Sequence, residues 1–494
     1  MNYTSTRSKQ VKIPSAQAIK TGISSEGGLF VPETLPAFSS SDISDMLSMN
    51  YNQMAFKVLR PLLSDFTDAE LEACVNNAYA VEKFGDEPIK TIKINDNDFA
   101  LELWHGPTCA FKDMALQILP HFIVTALKKT NEQRTAVILV ATSGDTGKAA
   151  LEGFADVDGA QITVFYPADG VSTMQKLQMI TQEGENVAVC GIKGNFDDCQ
   201  NGVKAIFTDE SIKDELNTKN KFFSSANSIN WGRLAPQIVY YFAAYCDLLK
   251  NGEIVNGEKI NIAVPTGNFG NILAAYYAKK MGLPVNKLIC ASNMNNVLTD
   301  FINTGVYDKN RTFYTTASPS MDILISSNLE RLLFDVLDQD SEKLICLMDD
   351  LKENGKYTIG ENLQNTLSDI FYGAYASEQQ TLDTIKKIFN NYNYLCDTHT
   401  AVAFNVLENY RESTKDTTKT IVASTANPYK FSEAVLQALG VDEKYDDEFK
   451  MLDKLFEKSK LEIPQSLIEL KSKKIRFDKV CEKAQMNDEA LRMV

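Results

Sequence analysis

From about residue 88 onward, short apolar runs alternate with longer stretches whose apolar positions recur every three or four residues. The runs are Thr135–Ala141 (TAVILVA), Gln161–Tyr166 (QITVFY), Asn186–Ile192 (NVAVCGI), Lys259–Val264 (KINIAV), Lys287–Ser292 (KLICAS) and Thr420–Ser424 (TIVAS). Their length, β-branched content and lack of strict polar alternation predict strands buried on both faces. Helical patterns over Lys148–Phe154, Ser172–Thr181, Asp197–Phe207 and Ile272–Met281 follow four of them. Strand followed by helix, repeated, predicts an α/β fold with parallel sheets covered on both sides. A helix over Met114–Lys128 is expected to kink or break at Pro120, because a proline ring does not fit a helix interior.

The two ends read differently. Residues 1–87 mix turn signals (SSEGGLFVPETLP) with helical pieces such as Ser41–Leu59. The charged C-terminal stretch carries amphipathic patterns over Asp446–Lys458 and Ser466–Lys474. The expected organisation is an N-terminal segment (1–87), a smaller α/β region (88–230) and a larger α/β region (231–494) that ends in a helical extension.

Composition narrows the function classes. A chain of 494 residues is too long for one small core and long enough for two or three packed units. Its net charge of −15 argues against a nucleic-acid partner. The N-terminus lacks the apolar core of a signal peptide and no run is long enough to span a bilayer, so a soluble, cytoplasmic protein without a membrane partner is expected. Nine scattered cysteines without a CxxC pair fit a reducing compartment. Three dispersed histidines, His105, His121 and His399, do not suggest a zinc site, and no metal is expected. His121 reads as packing, and His105 and His399 as structural hydrogen-bonding groups. The pattern leaves monomer and homodimer equally open.

Covered parallel sheets place ligands at the carboxyl ends of their strands, and three turns there carry chemistry. Ser143–Gly144–Asp145–Thr146–Gly147 follows a buried strand and opens a helix, where backbone N–H groups can hold an anion. It is not a Walker A loop: Ala149 stands where the magnesium-binding hydroxyl belongs, and Thr142 where the first glycine belongs. A small carboxylate or phosphate suits it better than a nucleotide. Gly267–Asn268–Phe269–Gly270–Asn271 has the same context, and its two glycines let the backbone approach a phosphate. It is not GxGxxG, which disfavours a dinucleotide site.

The third turn, in LWHGPTCAFKDMALQ (Leu103–Gln117), puts Lys112 at the mouth of an apolar helix. A lysine at a helix start is usually a snorkelling surface charge, and either glycine turn alone could be plain connection. All three together point to one ligand. A desolvated lysine is a nucleophile towards an aldehyde and then a general base. The aldehyde cofactor that also bears a phosphate is pyridoxal phosphate. Gly267–Asn271 is the candidate phosphate cradle, and Thr425 at the end of a late strand the candidate partner of the ring nitrogen.

These residues carry a family resemblance. HGPTCAFKD (His105–Asp113), ATSGDTG (Ala141–Gly147), PTGNFGN (Pro265–Asn271), SPSMDI (Ser318–Ile323), SSNLERLLF (Ser326–Phe334), DTHTAVAF (Asp397–Phe404) and STANPYKF (Ser424–Phe431) resemble the threonine synthase family. YTSTR (Tyr3–Arg7) and EGGLFVP (Glu26–Pro32) extend the likeness to roughly residues 3–431. The resemblance implies fold type II of the pyridoxal-phosphate enzymes, with two parallel-sheet-containing α/β domains, an N-terminal α+β segment and a helical C-terminal extension. It implies that Lys112 bonds the cofactor and shuttles protons, that Gly267, Asn268, Phe269, Gly270 and Asn271 hold its phosphate, and that Thr425 faces its ring nitrogen. Ser143, Asp145 and Thr146 are then expected at the substrate's amino-acid end, and Asn328 and Arg331 at its phosphate. The implied reaction converts O-phospho-L-homoserine and water to threonine and phosphate.

Within the same fold, an amino-acid dehydratase or a β-replacement lyase is the nearest alternative, which SPSMDI and SSNLERLLF argue against. A non-catalytic relative kept as a binding protein is a further one, opposed by the intact Lys112 and both loops. Two positions depart from the family pattern: Asn427 replaces a histidine and Thr398 a proline.

Overall fold

The computed structural model describes every residue except 143, 170, 442, 444, 446 and 494, and the side chains of the rest except 197 and 493. Two parallel sheets dominate. The five-stranded sheet runs Val480–Glu482, Val187–Lys193, Ala160–Pro167, Thr135–Ala141, Lys221–Ser224 in spatial order, all parallel. The six-stranded sheet runs Phe371–Tyr375, Val285–Ser292, Ile260–Pro265, Thr420–Ser424, Asp98–Glu102, Lys90–Lys93, and only the pair at its last edge is antiparallel. The central strands are buried on both faces, as their unbroken apolar runs require. Each fully buried Val, Leu or Ile contributes about 1.5–3 kcal/mol.

Sheet membership departs from the expected division at residues 88–230 and 231–494. Asp98–Glu102 belongs to the six-stranded sheet, because it pairs with Thr420–Ser424. Val480–Glu482, expected within a helical extension, closes the edge of the five-stranded sheet against Val187–Lys193. The chain therefore passes from one sheet to the other between Glu102 and Thr135, and Lys112 lies on that passage.

The expected break near Pro120 is present. Two helices, Asp113–Leu116 and Leu119–Lys129, replace the single one, and Pro120 sits in the first turn of the second, where its missing N–H has no partner to lose. Ser41–Leu59 likewise resolves into Ser40–Met46 and Tyr51–Leu59, each opened by a capping box. The Ser466–Lys474 pattern forms a single α turn, Gln465–Ile468, and a 3₁₀ turn, Glu469–Lys471. Asp446, the first residue of the other C-terminal pattern, lies outside the described residues; the helix there is Glu448–Ser459.

Candidate active site

The turn that carries Lys112 is held by the six-stranded sheet. The Phe111 N–H donates to the Thr425 carbonyl (2.8 Å), and Ala110 bridges to Ala426, so the lysine turn is tied to the end of the Thr420–Ser424 strand. Gly106 permits the tight entry to this turn: a Cβ there would lie 2.6 Å from the Asp113 carboxylate. That carboxylate accepts the Thr108 N–H (2.8 Å) and hydroxyl (2.7 Å). Burial raises the Asp113 pKa to about 6.

The Lys112 side chain is 11% exposed, and its Nζ donates to Ser320 Oγ at 3.0 Å. Burial pushes its pKa down to about 8, against the pull of the Asp145 carboxylate, whose Oδ2 lies 3.8 Å away. A lysine in this state is a usable nucleophile near neutral pH.

The second turn is a helix start built for an anion. Phe269 adopts the left-handed conformation (φ 61°) and caps the Gly270–Lys280 helix without a side-chain cap, so the first-turn amides are left for a ligand. The Phe269 ring is buried against Phe371, which fixes the loop. Asn271 Oδ1 accepts the hydroxyls of Tyr240 (2.6 Å) and Tyr241, while its buried Nδ2 has no partner. Gly267 runs against the segment that holds Lys112: a Cβ there would sit 2.5 Å from the Ser320 carbonyl oxygen. Thr425 is buried at the strand end, and its hydroxyl makes no hydrogen bond to a described residue. An unpaired buried amide, open helix-start amides, a lysine near its free-amine state and a free hydroxyl fit an aldehyde cofactor with a phosphate.

Asp145 opens the Asp145–Phe154 helix after the Thr135–Ala141 strand. Its Oδ1 accepts from Lys430 Nζ (2.8 Å) and Gln175 Nε2 (2.9 Å). Burial opposes its ionisation, yet the Lys430 and Lys112 ammoniums and these two hydrogen bonds hold its pKa below the usual carboxylate range. Thr146 is half-buried beside it, and Ser143 lies outside the described residues.

Asn328 and Arg331 do not offer themselves to a substrate phosphate. Arg331 is fully buried; its Nε donates to the Phe30 carbonyl (3.0 Å), and its two terminal nitrogens to Asn328 Oδ1 and the Ile229 carbonyl. Asn328 donates to the carbonyls of Ser228 (3.2 Å) and Asn268 (3.0 Å), bracing the phosphate loop from behind. The expectation for both is corrected accordingly: their donors are used within the framework. Glu330, the residue before Arg331, pairs with Arg7 at 2.7 Å.

Arg233 was not foreseen. On the Trp231–Lys250 helix, it is 5% exposed, gives one nitrogen to the Ala226 carbonyl (3.0 Å) and leaves its buried Nε unpartnered. Burial lowers its pKa to about 10, and its charge is felt at Lys112. The arginine at a capped helix start in NSINWGR was the available signal.

His399 braces the wall of the site. Its Nδ1 pairs with Asp397 (2.6 Å) and its Nε2 accepts the Ser320 N–H (3.2 Å), which steadies the residue that meets Lys112. His105 pairs with Glu102 (2.9 Å) and stacks on Trp104. Asn427 is buried and its Oδ1 accepts the Tyr429 N–H (3.0 Å), a capping role that needs an acceptor and no titration.

The fold and this site define a pyridoxal-phosphate-dependent enzyme, and the model of the pyridoxal-phosphate dependent enzyme family matches residues 94–350, just over half of the chain. Models for the threonine synthase N terminus and the threonine synthase C-terminal region match residues 2–79 and 400–488. The threonine synthase of Pseudomonas aeruginosa is 38% identical over 440 residues, covering 89% of this chain and 90% of its own. The solved structure of the PLP-bound threonine synthase from Brucella melitensis superposes with a TM-score of 0.88 at 35% identity, covering 100% of this chain and 99% of that one. The chain belongs to the threonine synthase family, and its cofactor is pyridoxal phosphate. It is also 40% identical over 439 residues to human threonine synthase-like 1, covering 87% of this chain but only 58% of that longer relative.

Proposed function

We propose that the chain is a threonine synthase, releasing phosphate from O-phospho-L-homoserine and adding water to give L-threonine. The observation that carries this reading is Lys112, an amine on a side chain only 11% exposed, placed between an anion-ready helix start and the end of the Thr420–Ser424 strand. When bound, pyridoxal phosphate supplies an electron sink for charge that develops at the substrate's α and β carbons. The open amides of Gly270 and Asn271 and the Asn271 Nδ2 hold its phosphate, with Gly267 and Asn268 shaping the loop and Phe269 anchoring it. The Thr425 hydroxyl faces its ring nitrogen. Lys112 would bond the cofactor's aldehyde and, as a free amine once the substrate is bound, would take the α proton and one β proton, deliver one to the γ carbon as phosphate leaves and, after water adds at the β carbon, return one to the α carbon. The first-turn amides at Asp145 and Thr146 take the substrate carboxylate, the role that the family resemblance also gives to Ser143. Arg233 takes the substrate's phosphate, in a charge-assisted pair that its unused Nε leaves room for.

The test is product analysis with O-phosphohomoserine and with threonine as alternative substrates. Threonine and phosphate in equal amounts from the first are expected, with little 2-oxobutanoate from the second. Lys112→Ala should lower phosphate release by at least about 10³-fold, since it removes both the covalent anchor and the base. Near-normal phosphate release by that variant would contradict the assignment of Lys112. The likeness to threonine synthase-like 1 supports a second reading, a family member that keeps the scaffold and binds the cofactor without this turnover. Cofactor uptake with no product from O-phosphohomoserine would favour it.

A further inference from the structure

Lys430 is fully buried, yet no step of the proposed reaction uses it. It lies in the Pro428–Phe431 turn, just beyond Thr425, and reaches from the end of the six-stranded sheet to the helix start that follows the Thr135–Ala141 strand. Its Nζ donates to the Thr108 carbonyl (2.9 Å), in the turn that leads to Lys112, and meets Asp145 Oδ1 at 2.8 Å. The other oxygen of Asp145 faces Lys112 at 3.8 Å. One carboxylate is thus shared by two ammonium groups, the fully buried Lys430 at 2.8 Å and the nearly buried Lys112 at 3.8 Å.

An ion this deep is costly unless it is paired, and a lone buried Asp145 beside Lys112 would close on it as a tight ion pair. That pairing would keep Lys112 protonated and orient it away from Ser320. We propose that Lys430 is a positioning residue for Lys112: by holding one oxygen of Asp145, it stops that carboxylate from pinning the lysine as an ammonium and keeps it available as a free amine. The inference rests on Lys112 being the base of the proposed reaction.

The other charged groups around Lys112 do not duplicate this function. Arg233 reaches it from the Trp231–Lys250 helix and opposes its protonation, but has no hold on Asp145. Asp113, next in the chain, gives both carboxylate oxygens to Thr108. His399 acts on Ser320 and pairs with Asp397. Gln175 shares Asp145 Oδ1 with Lys430 as a neutral donor.

The arrangement gives opposite signs for two substitutions. Lys430→Met removes a repelling charge and frees Asp145 to close on Lys112, so the pH at which Lys112 becomes reactive rises. Asp145→Asn removes the attracting charge, so that pH falls. The readout is the rate at which the full-length, cofactor-stripped protein takes up pyridoxal phosphate, followed by visible absorbance from pH 6 to 10. The midpoint should lie near 8 in the unaltered protein, and move up by about one pH unit in Lys430→Met and down in Asp145→Asn. The kcat–pH profile of the loaded Lys430→Met enzyme should move the same way as its uptake midpoint. Near-ultraviolet circular dichroism checks that each variant is folded. Should Lys430→Met not fold, Asp145→Asn alone decides: an unmoved or raised midpoint overturns the proposal. Shifts of the same sign in both variants, or none in either, overturn it as well. Neither result depends on which substrate the loaded enzyme turns over, so failure here stays separate from failure of the proposed reaction.

Discussion

At Gly267 a single methyl group has a defined consequence. A Cβ at this position would press to 2.5 Å against the Ser320 carbonyl oxygen, a backbone atom that cannot swing aside. Gly267→Ala is expected to cost about 1–3 kcal/mol in overpacking and to shift Ser320 away from Lys112. Denaturant unfolding would show the lost stability, and a pyridoxal phosphate titration the weakened uptake. Arg331→Met makes the contrasting case, because three acceptors, the Phe30 and Ile229 carbonyls and Asn328 Oδ1, lose their charged donor. A loss of about 2–4 kcal/mol in unfolding free energy is expected, with KM for O-phosphohomoserine little changed in the protein that remains folded. A large rise in KM at unchanged stability would return Arg331 to the substrate's phosphate. The sequence placed the Gly144–Gly147 and Gly267–Asn271 turns and Thr425 correctly relative to strand ends, because local pattern decides where a turn falls. It misplaced Arg331, whose partner Phe30 is 301 residues away; no local pattern encodes such a contact. Lys430 escaped for the same reason, its partner Thr108 lying 322 residues away.

At the scale of elements, strands buried on both faces were the most legible. Thr135–Ala141 and Thr420–Ser424 match their apolar runs residue for residue, and the other four runs shift by one or two positions at their ends. Asp98–Glu102 escaped notice because acidic residues stand at both its ends and it is short. Val480–Glu482 escaped because three residues in a charged stretch carry no period; only pairing with Val187–Lys193 makes them a strand. That short strand covers an edge whose own residues are largely buried. Removing residues 479–494 should therefore expose an unpaired apolar edge and promote association between copies. Light scattering at rising concentration checks it: the truncated protein should scatter more than the full chain, and an equally monodisperse truncation would mean the edge is covered otherwise.

At the scale of the whole molecule, the chain crosses from the six-stranded to the five-stranded sheet through the Lys112 turn, and the Lys430–Asp145 pair links the two sheets again beside that turn. A ligand in this seam binds the folded chain and has no site in the unfolded one, so stability follows its concentration. At about one hundred times its dissociation constant, pyridoxal phosphate should add roughly 2.7 kcal/mol, seen as a rise in Tm that grows with added cofactor. Lys112→Ala should retain a smaller rise, from the phosphate cradle alone. The covered parallel-sheet architecture was readable from strand–helix alternation and its two-sheet form from the family resemblance, whereas the division of strands between the sheets was not, since pairing is a long-range choice.

All three scales depend on Lys112 being the residue that bonds the cofactor. Borohydride reduction of the protein loaded with pyridoxal phosphate, followed by digestion and mass spectrometry, locates the bond directly. The pyridoxyl mass should fall on the peptide containing Lys112, at about one group per chain, and should be missing in Lys112→Ala. A pyridoxyl group on Lys430 or on any other lysine, with the Lys112 peptide unmodified, would contradict it.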